Sequence, residues 1–266
     1  MGTSRFSGRV ALVTGAGAGF GRATAVGLAR DGARVVAVVE RIADRLDGVC
    51  AEIEALGAIA VPIGVDLTDA AAAEATIATT VAAAGGLDIL VSNHAAMSHA
   101  VDFLDGTNDV WAHELDVNLT SHYVLARHAA RAMRDAGRGG SIGFTASVNA
   151  LGAGRGFVPY CVTKAGLVAM SQVMAVELAT YGIRVNCVSP GPGDTQRSID
   201  LVGEDRMREF RAGFRGVPLN RLASVADVAE AFLYLASDAA SYVTGHNLVV
   251  DGGLTAYVYE VPEEQR

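Results

Sequence analysis

A tyrosine and a lysine, Tyr160 and Lys164, stand four residues apart in a segment with helical character. Residues at this spacing share one face of an α-helix, so the lysine ammonium group lies close to the phenol. A nearby cation favours the phenolate and lowers the pKa of tyrosine, which is near ~10 when unperturbed. Ser147 follows a strand-like run at residues 140–146, where its hydroxyl would hold a substrate oxygen beside the phenol. The three side chains predict acid–base chemistry on a hydroxyl or carbonyl group, although the Tyr–Lys spacing alone also fits a surface lysine beside a half-buried tyrosine.

A glycine-rich turn near the amino terminus is suited to holding a pyrophosphate. A continuous apolar run at residues 10–13 predicts a strand buried on both faces, and a helix is predicted over residues 22–31. Between them, Gly15, Gly19 and Gly21 allow close backbone approach, and the free amides of the first helical turn point at the anion. Their spacing, Thr-Gly-x-x-x-Gly-x-Gly, differs from the usual Gly-x-Gly-x-x-Gly fingerprint, and a glycine turn without a ligand is the alternative.

Glu40 ends the second predicted strand, residues 34–40, about 25 residues after Gly15. An acid at this place can hydrogen-bond the adenosine ribose hydroxyls, and its charge repels the 2'-phosphate of NADP. The position therefore favours NAD, with NADP as the less favoured cofactor. A solvated acid at a strand end is the alternative.

Strand-like and helical patterns alternate along the whole chain, which predicts a Rossmann-type α/β fold. We expect a doubly wound, mostly parallel sheet of seven strands with helices on both faces, in one domain over residues 1–266. Further strands are predicted at residues 58–65, 87–91, 140–146, 184–189 and 246–250, and further helices at 70–84, 108–136, 160–179 and 223–236. Such sheets bind ligands at the carboxyl ends of their strands. Candidate residues follow predicted strands in that way at Gly15, Glu40, Asn93, Ser147 and Pro190.

Composition excludes several classes of partner and site. The chain has 266 residues, 51% of them hydrophobic, and its net charge of -8 argues against nucleic acid and anionic membrane surfaces. No apolar run approaches the length of a membrane span, and the amino terminus lacks the apolar core of a signal peptide. Cys50, Cys161 and Cys187 have no metal-ligand spacing, so no metal site is expected. Their odd number argues against a disulfide framework and fits a reducing, cytoplasmic compartment.

Taken together, the motifs resemble those of the short-chain dehydrogenase/reductase family in its single-domain form. The resemblance runs from Gly8 to Gly253. Its markers occur in the family's order: Thr14-Gly15-x-x-x-Gly19-x-Gly21, Asp66, Asn93, Asn118, Ser147, Tyr160-x-x-x-Lys164, Pro190-Gly191, Thr195, Val243-Thr244-Gly245 and Asp251-Gly252-Gly253.

The resemblance implies a role for each of four catalytic residues. Tyr160 would be the general acid or base, and Lys164 would lower its pKa and hold the nicotinamide ribose. Ser147 would bind the substrate oxygen, and Asn118 would hold a water that links Lys164 to solvent. Cofactor contacts are implied at Gly15, Gly19, Phe20, Gly21, Glu40, Asp66, Leu67, Asn93, Tyr160, Lys164, Pro190, Gly191 and Thr195.

Two positions depart from the family's pattern. Relatives usually read Asn-Asn-Ala-Gly after the fourth strand, where this chain has Ser92-Asn93-His94-Ala95. The bulky His94 either shapes the substrate side or packs under the sheet, and packing is favoured. NAD-preferring relatives usually place Asp where this chain has Val39, and Glu40 follows one residue later.

The leading hypothesis is an NAD-dependent dehydrogenase of a secondary alcohol, possible substrates being polyols and sugars, or the reverse ketone reduction. The alternatives are an NADPH-dependent reductase of 3-oxoacyl thioesters on a carrier protein and a non-catalytic dinucleotide-binding protein. A mobile helical lid is predicted over residues 194–216. A tail at residues 254–266 extends past the usual family ending, and Tyr257, Val258 and Tyr259 are candidates for contact with another subunit, since relatives are commonly tetramers.

Overall fold

The structure, a computed structural model, describes residues 4–257, and within them seven parallel strands form one sheet. The strands lie in the order β3-β2-β1-β4-β5-β6-β7, and each pairs in parallel with its neighbours. Their bounds are β1 Val10–Thr14, β2 Val35–Glu40, β3 Ile59–Gly64, β4 Ile89–Ser92, β5 Gly140–Thr145, β6 Ile183–Pro190 and β7 Asn247–Val250.

Helices cover both faces of this sheet. They are α1 Gly19–Arg30, α2 Leu46–Ala55, α3 Ala70–Ala84, α4 Asn108–Leu115, α5 Ser121–Ala136, α6 Val158–Leu178, α7 Gln196–Val202, α8 Glu204–Ala212 and α9 Val225–Ala236. The first core layer packs α1, α2 and α9 on the sheet, and the second packs α3, α5 and α6 on the opposite face.

Strand β1 shows why its sequence is continuously apolar. Ala11 and Val13 belong to the first core layer, whereas Leu12 between them belongs to the second. Successive strand side chains point to opposite faces, so a strand covered by helices on both sides needs apolar residues at every position. The predicted Rossmann-type fold is thereby confirmed, and all seven strands are parallel rather than most of them.

Some predicted element bounds are wrong. Helix α1 begins at Gly19, three residues before the predicted start at Arg22, because the backbone turns helical within the glycine motif itself. The predicted helix over residues 108–136 is not uniform: α4 and α5 are joined by a π-helical turn, Asp116–Thr120, which contains Asn118. Such turns insert one extra residue into a helix.

Helix α6 corrects the expectation that no segment approaches a membrane span. With the short turn that follows it, the segment Val158–Tyr181 is long and apolar enough to cross a membrane by length and composition. The helix packs against β6 and buries Lys164.

Two short helices, α7 and α8, occupy the segment predicted as a helical lid, and the mobility of that segment stays a prediction. Most of the predicted tail, with Val258 and Tyr259, lies outside the described residues.

Candidate active site

Asn93 follows β4, and hydrogen bonds from its backbone and its side chain connect the ends of three strands. Its backbone N–H donates to Thr14 Oγ1 at 2.9 Å, and its Nδ2 donates to the carbonyl of Gly15 at 3.3 Å. Its Oδ1 accepts from Thr145 Oγ1 at 2.9 Å. The ends of β1, β4 and β5 therefore meet where the sequence predicts, at one edge of the sheet.

The glycine turn after β1 is closed by a backbone contact that leaves no room for a side chain at Gly21. A Cβ on Gly21 would lie 2.2 Å from the carbonyl oxygen of Gly15, and Gly15 itself has φ +60°. A Cβ on Gly19 would meet Thr195 at 3.7 Å, so the turn lies against the start of α7. Ala18 precedes α1 and its methyl group cannot cap the helix, which leaves the first-turn amides available to an anion.

Glu40 lies beside this turn. Its Oε2 would be 3.0 Å from a Cβ on Gly17, and its Oε1 accepts from the backbone N–H of Arg41 at 2.9 Å. One carboxylate oxygen is thus held by its own strand end while the other faces the glycine turn. Arg41 and Arg45 are exposed nearby.

Asp66 and Leu67 follow β3. Asp66 Oδ1 accepts from the backbone N–H of Thr68 at 3.0 Å and from its hydroxyl at 2.7 Å. These bonds lower the pKa of Asp66, with the backbone bond as the largest cause. Leu67 is buried in the second core layer.

The predicted acid–base group is assembled on α6 and β5. Lys164 is buried, and its Nζ donates to the carbonyl of Thr145 at 2.7 Å while lying 5.5 Å from the centre of the Tyr160 ring. Ser147 is also buried, and its Oγ accepts from the backbone N–H of Asn149 at 3.1 Å. Tyr160, Lys164 and Ser147 thus lie together, as the spacing predicted.

The electrostatics of this group differ from the sequence expectation. Burial raises the pKa of Tyr160, and the charge of Arg197 and the hydroxyl of Ser147 only partly oppose it. Burial also lowers the pKa of Lys164 to about 7, helped by Arg197. In the cofactor-free protein desolvation thus outweighs the nearby cation Arg197, and the lowering of the Tyr160 pKa by Lys164 stays a prediction.

Asn118 is fully buried, and its carboxamide hydrogen-bonds the backbone of the loop after β4. Its Oδ1 accepts from the backbone N–H of Ala96 at 2.7 Å, and its Nδ2 donates to the carbonyl of the same residue at 2.8 Å. The carboxamide is thereby committed to the loop. The water-holding role implied for Asn118 stays a prediction.

His94 is half-buried and packs between the end of β1 and the start of α5. Its Nδ1 lies 2.7 Å from Thr14 Oγ1, and its Nε2 lies 2.7 Å from Ser121 Oγ. Its ring stacks on that of His122, with centroids 3.9 Å apart and an interplanar angle of 7°. Ser92 holds His122 in turn, with Oγ 2.8 Å from Nδ1. Burial lowers the pKa of both rings, to about 3 for His94. This arrangement agrees with the packing interpretation.

The remaining predicted contacts follow β6. Pro190 ends the strand opposite Val250, and the N–H of Gly191 donates to the carbonyl of Val250 at 2.9 Å. Thr195 begins α7, where its Oγ1 accepts from the N–H of Ser198 at 3.2 Å. Phe20 lies across the turn: a Cβ on Gly193 would meet its ring at 2.5 Å.

Comparison with known proteins gives the site its context. A family sequence model described as enoyl-(acyl carrier protein) reductase matches residues 15–255. An L-rhamnose 1-dehydrogenase (NAD(P)(+)) from Azotobacter vinelandii (strain DJ) is 39% identical over 249 residues, which cover 92% of this chain and 96% of that protein. The crystal structure of a short-chain type dehydrogenase/reductase from Mycobacterium marinum superposes with a TM-score of 0.88 at 36% identity, covering 96% and 98% of the two chains. The chain belongs to the short-chain dehydrogenase/reductase family.

The name of another relative includes a carboxylated substrate. A cis-4-hydroxycyclohexanecarboxylate dehydrogenase from Sinomonas cyclohexanicum is 36% identical over 251 residues, 94% of this chain and 98% of that protein. Membership of the family makes this chain an oxidoreductase.

The residues present fit the nicotinamide dinucleotide that the family implies. The glycine turn offers backbone amides at a helix start, and Gly21 lets that start lie against the carbonyl of Gly15, where a Cβ would come within 2.2 Å. Glu40 would face the adenosine ribose, and Lys164 and Asn93 would face the nicotinamide ribose. When bound, the cofactor supplies the hydride acceptor or donor.

Three residues of the site were not predicted from the sequence, and Thr14 was named there only as part of the glycine motif. Thr14 and Thr145 orient Asn93, and Thr145 reads as an ordinary strand residue. Arg197, on α7, donates to the carbonyl of Ala95 at 3.2 Å, and its charge acts on both Tyr160 and Lys164. Glu114, on α4, is buried although its segment reads as a surface helix. No sequence pattern indicates that Arg197 or Glu114 belongs to the site.

The glycine turn predicts the effect of Gly21→Ala. The new methyl group would clash with the Gly15 carbonyl and with Asn93 Nδ2, which a Cβ would approach to 2.5 Å. Because backbone must shift to relieve the clash, we expect dinucleotide affinity to fall by at least roughly tenfold, equivalent to about 1.4 kcal/mol. Titration calorimetry with NAD and NADP measures this. Gly48→Ala in α2 is the control, since only the ends of Arg22 lie near; it should leave binding unchanged and stabilise the fold by about 0.5–1 kcal/mol. Equal affinities of Gly21→Ala and the wild type would contradict the assignment.

The stacked histidines predict a loss of stability in acid. The folded-state pKa of His94 is lowered from 6.5 to about 3, so the unfolded chain binds more protons between these values. The free energy of unfolding therefore falls as pH drops through 6.5. We expect the fall between pH 7.5 and 5.5 to be smaller by about 1 kcal/mol in His94→Ala. Urea unfolding at both pH values measures it. His113→Gln, at an exposed histidine, should keep the wild-type dependence. An unchanged fall in His94→Ala would show that His94 is not held neutral.

Proposed function

We propose that this protein is an NAD-dependent oxidoreductase that transfers a hydride between the cofactor and a secondary alcohol or ketone. The observation that carries the proposal is the assembly of Tyr160, Lys164 and Ser147 at the sheet edge that also holds the glycine turn. A phenol beside a buried amine can exchange the proton of a carbinol oxygen, and the Ser147 hydroxyl can hold that oxygen.

The proposed substrate is a polyol or sugar, or an alcohol of similar size. The relative from Azotobacter vinelandii is an L-rhamnose dehydrogenase, and that from Sinomonas cyclohexanicum acts on a hydroxylated ring. The segments that we expect to line the substrate pocket mix polar and apolar side chains, with Asn149 and Arg155 beside Leu151 and Phe157. This mixed lining specifies neither a sugar nor a hydrophobic ketone, so the support for a polyol or sugar comes from the relatives.

NAD is the proposed cofactor, with NADP as the alternative. Glu40 supports NAD because a carboxylate facing the glycine turn accepts hydrogen bonds from ribose hydroxyls and repels a 2'-phosphate. The name of the Azotobacter relative includes both cofactors, and Arg41 and Arg45 lie close to Glu40. Affinity for the two cofactors therefore has to be compared directly.

The second candidate function is reduction of 3-oxoacyl thioesters on an acidic carrier protein. The matching family description names an acyl carrier protein reductase. A carrier would need a basic surface, for which Arg206, Arg208, Arg211 and Arg215 are candidates, yet the first three each lie in an ion pair with a carboxylate. These pairs reduce the positive charge that the surface presents, so the small-alcohol proposal is preferred.

The proposal also covers the oligomeric state of the protein and its cellular compartment. We propose a homo-oligomer, with a tetramer as the expected form, in the cytoplasm. Support comes from α6, where Val173 and Val176 are 58% and 80% exposed. Exposed apolar residues on one helix are typical of interfaces between subunits.

Tyr160→Phe tests the catalytic assignment. Removing the hydroxyl removes the proton acceptor for alcohol oxidation, so kcat should fall by roughly 10²–10⁴-fold with little change in dinucleotide affinity. A panel of secondary alcohols, polyols and sugars with NAD and NADP measures the rates. Tyr181→Phe, at a half-exposed tyrosine, is the control and should retain wild-type rates. Undiminished turnover by Tyr160→Phe would contradict the catalytic assignment of Tyr160. If the wild type binds dinucleotide but turns over no substrate, the non-catalytic alternative is supported.

Glu40→Gln tests the cofactor preference. The amide keeps the shape but loses the charge, so ribose binding weakens and repulsion of the 2'-phosphate is lost. We expect the ratio of kcat/KM for NAD to that for NADP to fall by roughly tenfold. Steady-state kinetics with both cofactors measure the ratio. Glu54→Gln on α2 removes an equal charge from an exposed position and should leave the ratio unchanged. A wild-type preference for NADP would overturn the proposed cofactor.

A further inference from the structure

Arg197 is an exposed arginine on α7 whose positive charge is not neutralised by a neighbouring side chain. In the part of the chain that the structure describes, it forms no ion pair with a carboxylate, and its hydrogen bonds go to a backbone carbonyl. The arginines of the following helix differ, since Arg206, Arg208 and Arg211 on α8 each pair with a carboxylate. Arg197 therefore presents a full positive charge to a ligand.

The hydrogen bonds of Arg197 connect α7 to the loop after β4. Its two terminal nitrogens, Nη1 and Nη2, each donate to the carbonyl oxygen of Ala95 at 3.2 Å. Ala95 lies two residues after Asn93, so their Cα atoms are at most about 7.6 Å apart. Asn93 accepts from Thr145, whose carbonyl binds Lys164. These contacts place the guanidinium group at the sheet edge that carries the acid–base group.

The loop after β4 also borders the segment expected to line the substrate pocket. The backbone N–H of Val101 donates to the carbonyl of Gly156 at 3.0 Å. Gly156 lies in the connection between Ser147 and α6, the helix on which Tyr160 stands. Arg197 thus contacts a loop that adjoins the substrate segment.

The neighbours of Arg197 along α7 lie on the cofactor side instead. A Cβ on Gly19 would meet Thr195 at 3.7 Å, and Ser198 Oγ donates to the carbonyl of Gly193 at 2.7 Å. Arg197 stands between Thr195 and Ser198, yet it hydrogen-bonds the loop after β4 and not the glycine turn. The amides at the start of α1 already serve a pyrophosphate. The arginine is therefore placed for a different anion.

The guanidinium group of Arg197 keeps donors for a ligand. An arginine has five N–H groups, and the Ala95 carbonyl engages one on each terminal nitrogen. The side edge of the group, formed by Nε–H and the outer N–H of one terminal nitrogen, has no acceptor among the residues described. This edge matches the two oxygens of a carboxylate, which arginine binds through two parallel hydrogen bonds.

The charge of Arg197 reaches the reacting groups. Burial is the largest influence on the pKa of Tyr160 and of Lys164, and the charge of Arg197 comes next and lowers both values. A Coulomb interaction weakens with distance, so this effect agrees with the position that the hydrogen bonds give to the guanidinium group.

Resting on the proposed function, we propose that Arg197 binds a carboxylate of the substrate, so that the preferred alcohol is a hydroxy acid. The carbinol oxygen lies between Ser147 and Tyr160, and the carboxylate lies several bonds away on the side edge of the guanidinium group. Arg197 determines specificity and takes no part in proton or hydride transfer. Because the whole chain has a net charge of -8, an anionic substrate needs such a local cation at the site.

Other cations near the site are less suited to this role. Lys164 is buried and donates to the carbonyl of Thr145. Arg211 is held by Asp194 and by a second carboxylate. Arg155 is exposed in the substrate segment, and no described hydrogen bond or ion pair fixes its guanidinium group. A cation that is already held in position loses less conformational entropy when it binds an anion, which favours Arg197.

Two variants separate the charge of Arg197 from its geometry. Arg197→Gln removes both the charge and the paired donors, whereas Arg197→Lys keeps the charge but cannot form two parallel hydrogen bonds. Arg134→Gln is the matched control. It removes an arginine charge from the last turn of α5, which precedes β5 and so lies at the opposite edge of the sheet. Equal thermal unfolding of the variants and the wild type shows that the fold is retained.

Binding of cyclohexanecarboxylate is the first measurement, because it needs no turnover. Titration calorimetry is run with and without saturating NAD, and cyclohexanecarboxamide is the uncharged counterpart. We expect the wild type to prefer the carboxylate. Arg197→Gln should weaken its binding by roughly 10- to 100-fold, Arg197→Lys should weaken it less, and Arg134→Gln should leave it unchanged.

Two results of this titration would overturn the proposal, even if the protein is inactive on every alcohol tried. One is a wild type that does not prefer the carboxylate to the amide. The other is an Arg197→Gln variant that binds the carboxylate as tightly as the wild type. If that variant instead loses affinity for NAD alone, Arg197 serves the cofactor and the proposal is equally overturned.

Kinetics with hydroxycyclohexanecarboxylates and their methyl esters supply the second measurement, since each acid and its ester share the ring and the carbinol group. We expect the wild-type kcat/KM for the acid to exceed that for the ester by at least roughly tenfold. Arg197→Gln should bring the two values close together by raising KM for the acid, with the ester unaffected. An equal loss for acid and ester would show a structural role only, and would overturn the proposal while leaving the proposed function standing. Equal wild-type values would overturn it as well.

Discussion

The hydrogen bonds of Asn93 hold together the strand ends on which the site is built. At the carboxyl edge of a parallel sheet, backbone N–H and C=O groups no longer have hydrogen-bond partners on the neighbouring strand, so side chains have to provide them. An asparagine side chain both donates and accepts, and Asn93 uses both functions, toward Gly15 and Thr145. The carbonyl of Thr145 then receives the ammonium group of Lys164. The glycine turn and the acid–base group are thus linked through two residues.

Burial governs the chemistry of that group. It disfavours the charged forms of both Tyr160 and Lys164, so it raises the pKa of the phenol and lowers that of the amine. An amine with a pKa of about 7 exchanges protons readily at neutral pH, which a permanently charged lysine does not. Arg197 and Glu114 act on the same two groups with opposite signs. Arg197 and Glu114 thus oppose each other within an electrostatic balance that burial dominates.

His94 shows how the fold accommodates a bulky residue at a crowded position. The ring fits here because Thr14 and Ser121 each provide a hydrogen-bond partner for one ring nitrogen, and the ring of His122 stacks on its face. Each ring nitrogen has a partner in the neutral form, so protonation is disfavoured. The histidine thus serves packing at this position, and burial favours its neutral form.

Local sequence determined the elements and the residues that the site needs. Apolar runs such as residues 10–13 predicted strands covered on both faces, and the positions of Gly15, Asn93 and Ser147 after such strands predicted that they would meet at one edge. These inferences succeed because periodicity and order along a chain of parallel strands translate directly into position. The tertiary structure alone decided the rest. The pKa of Tyr160 depends on how much water the fold removes, and Glu114 and Arg197 reach the site through packing of α4 and α7. Burial and long-range contacts are properties of the assembled molecule, so no spacing of residues along the chain can specify them.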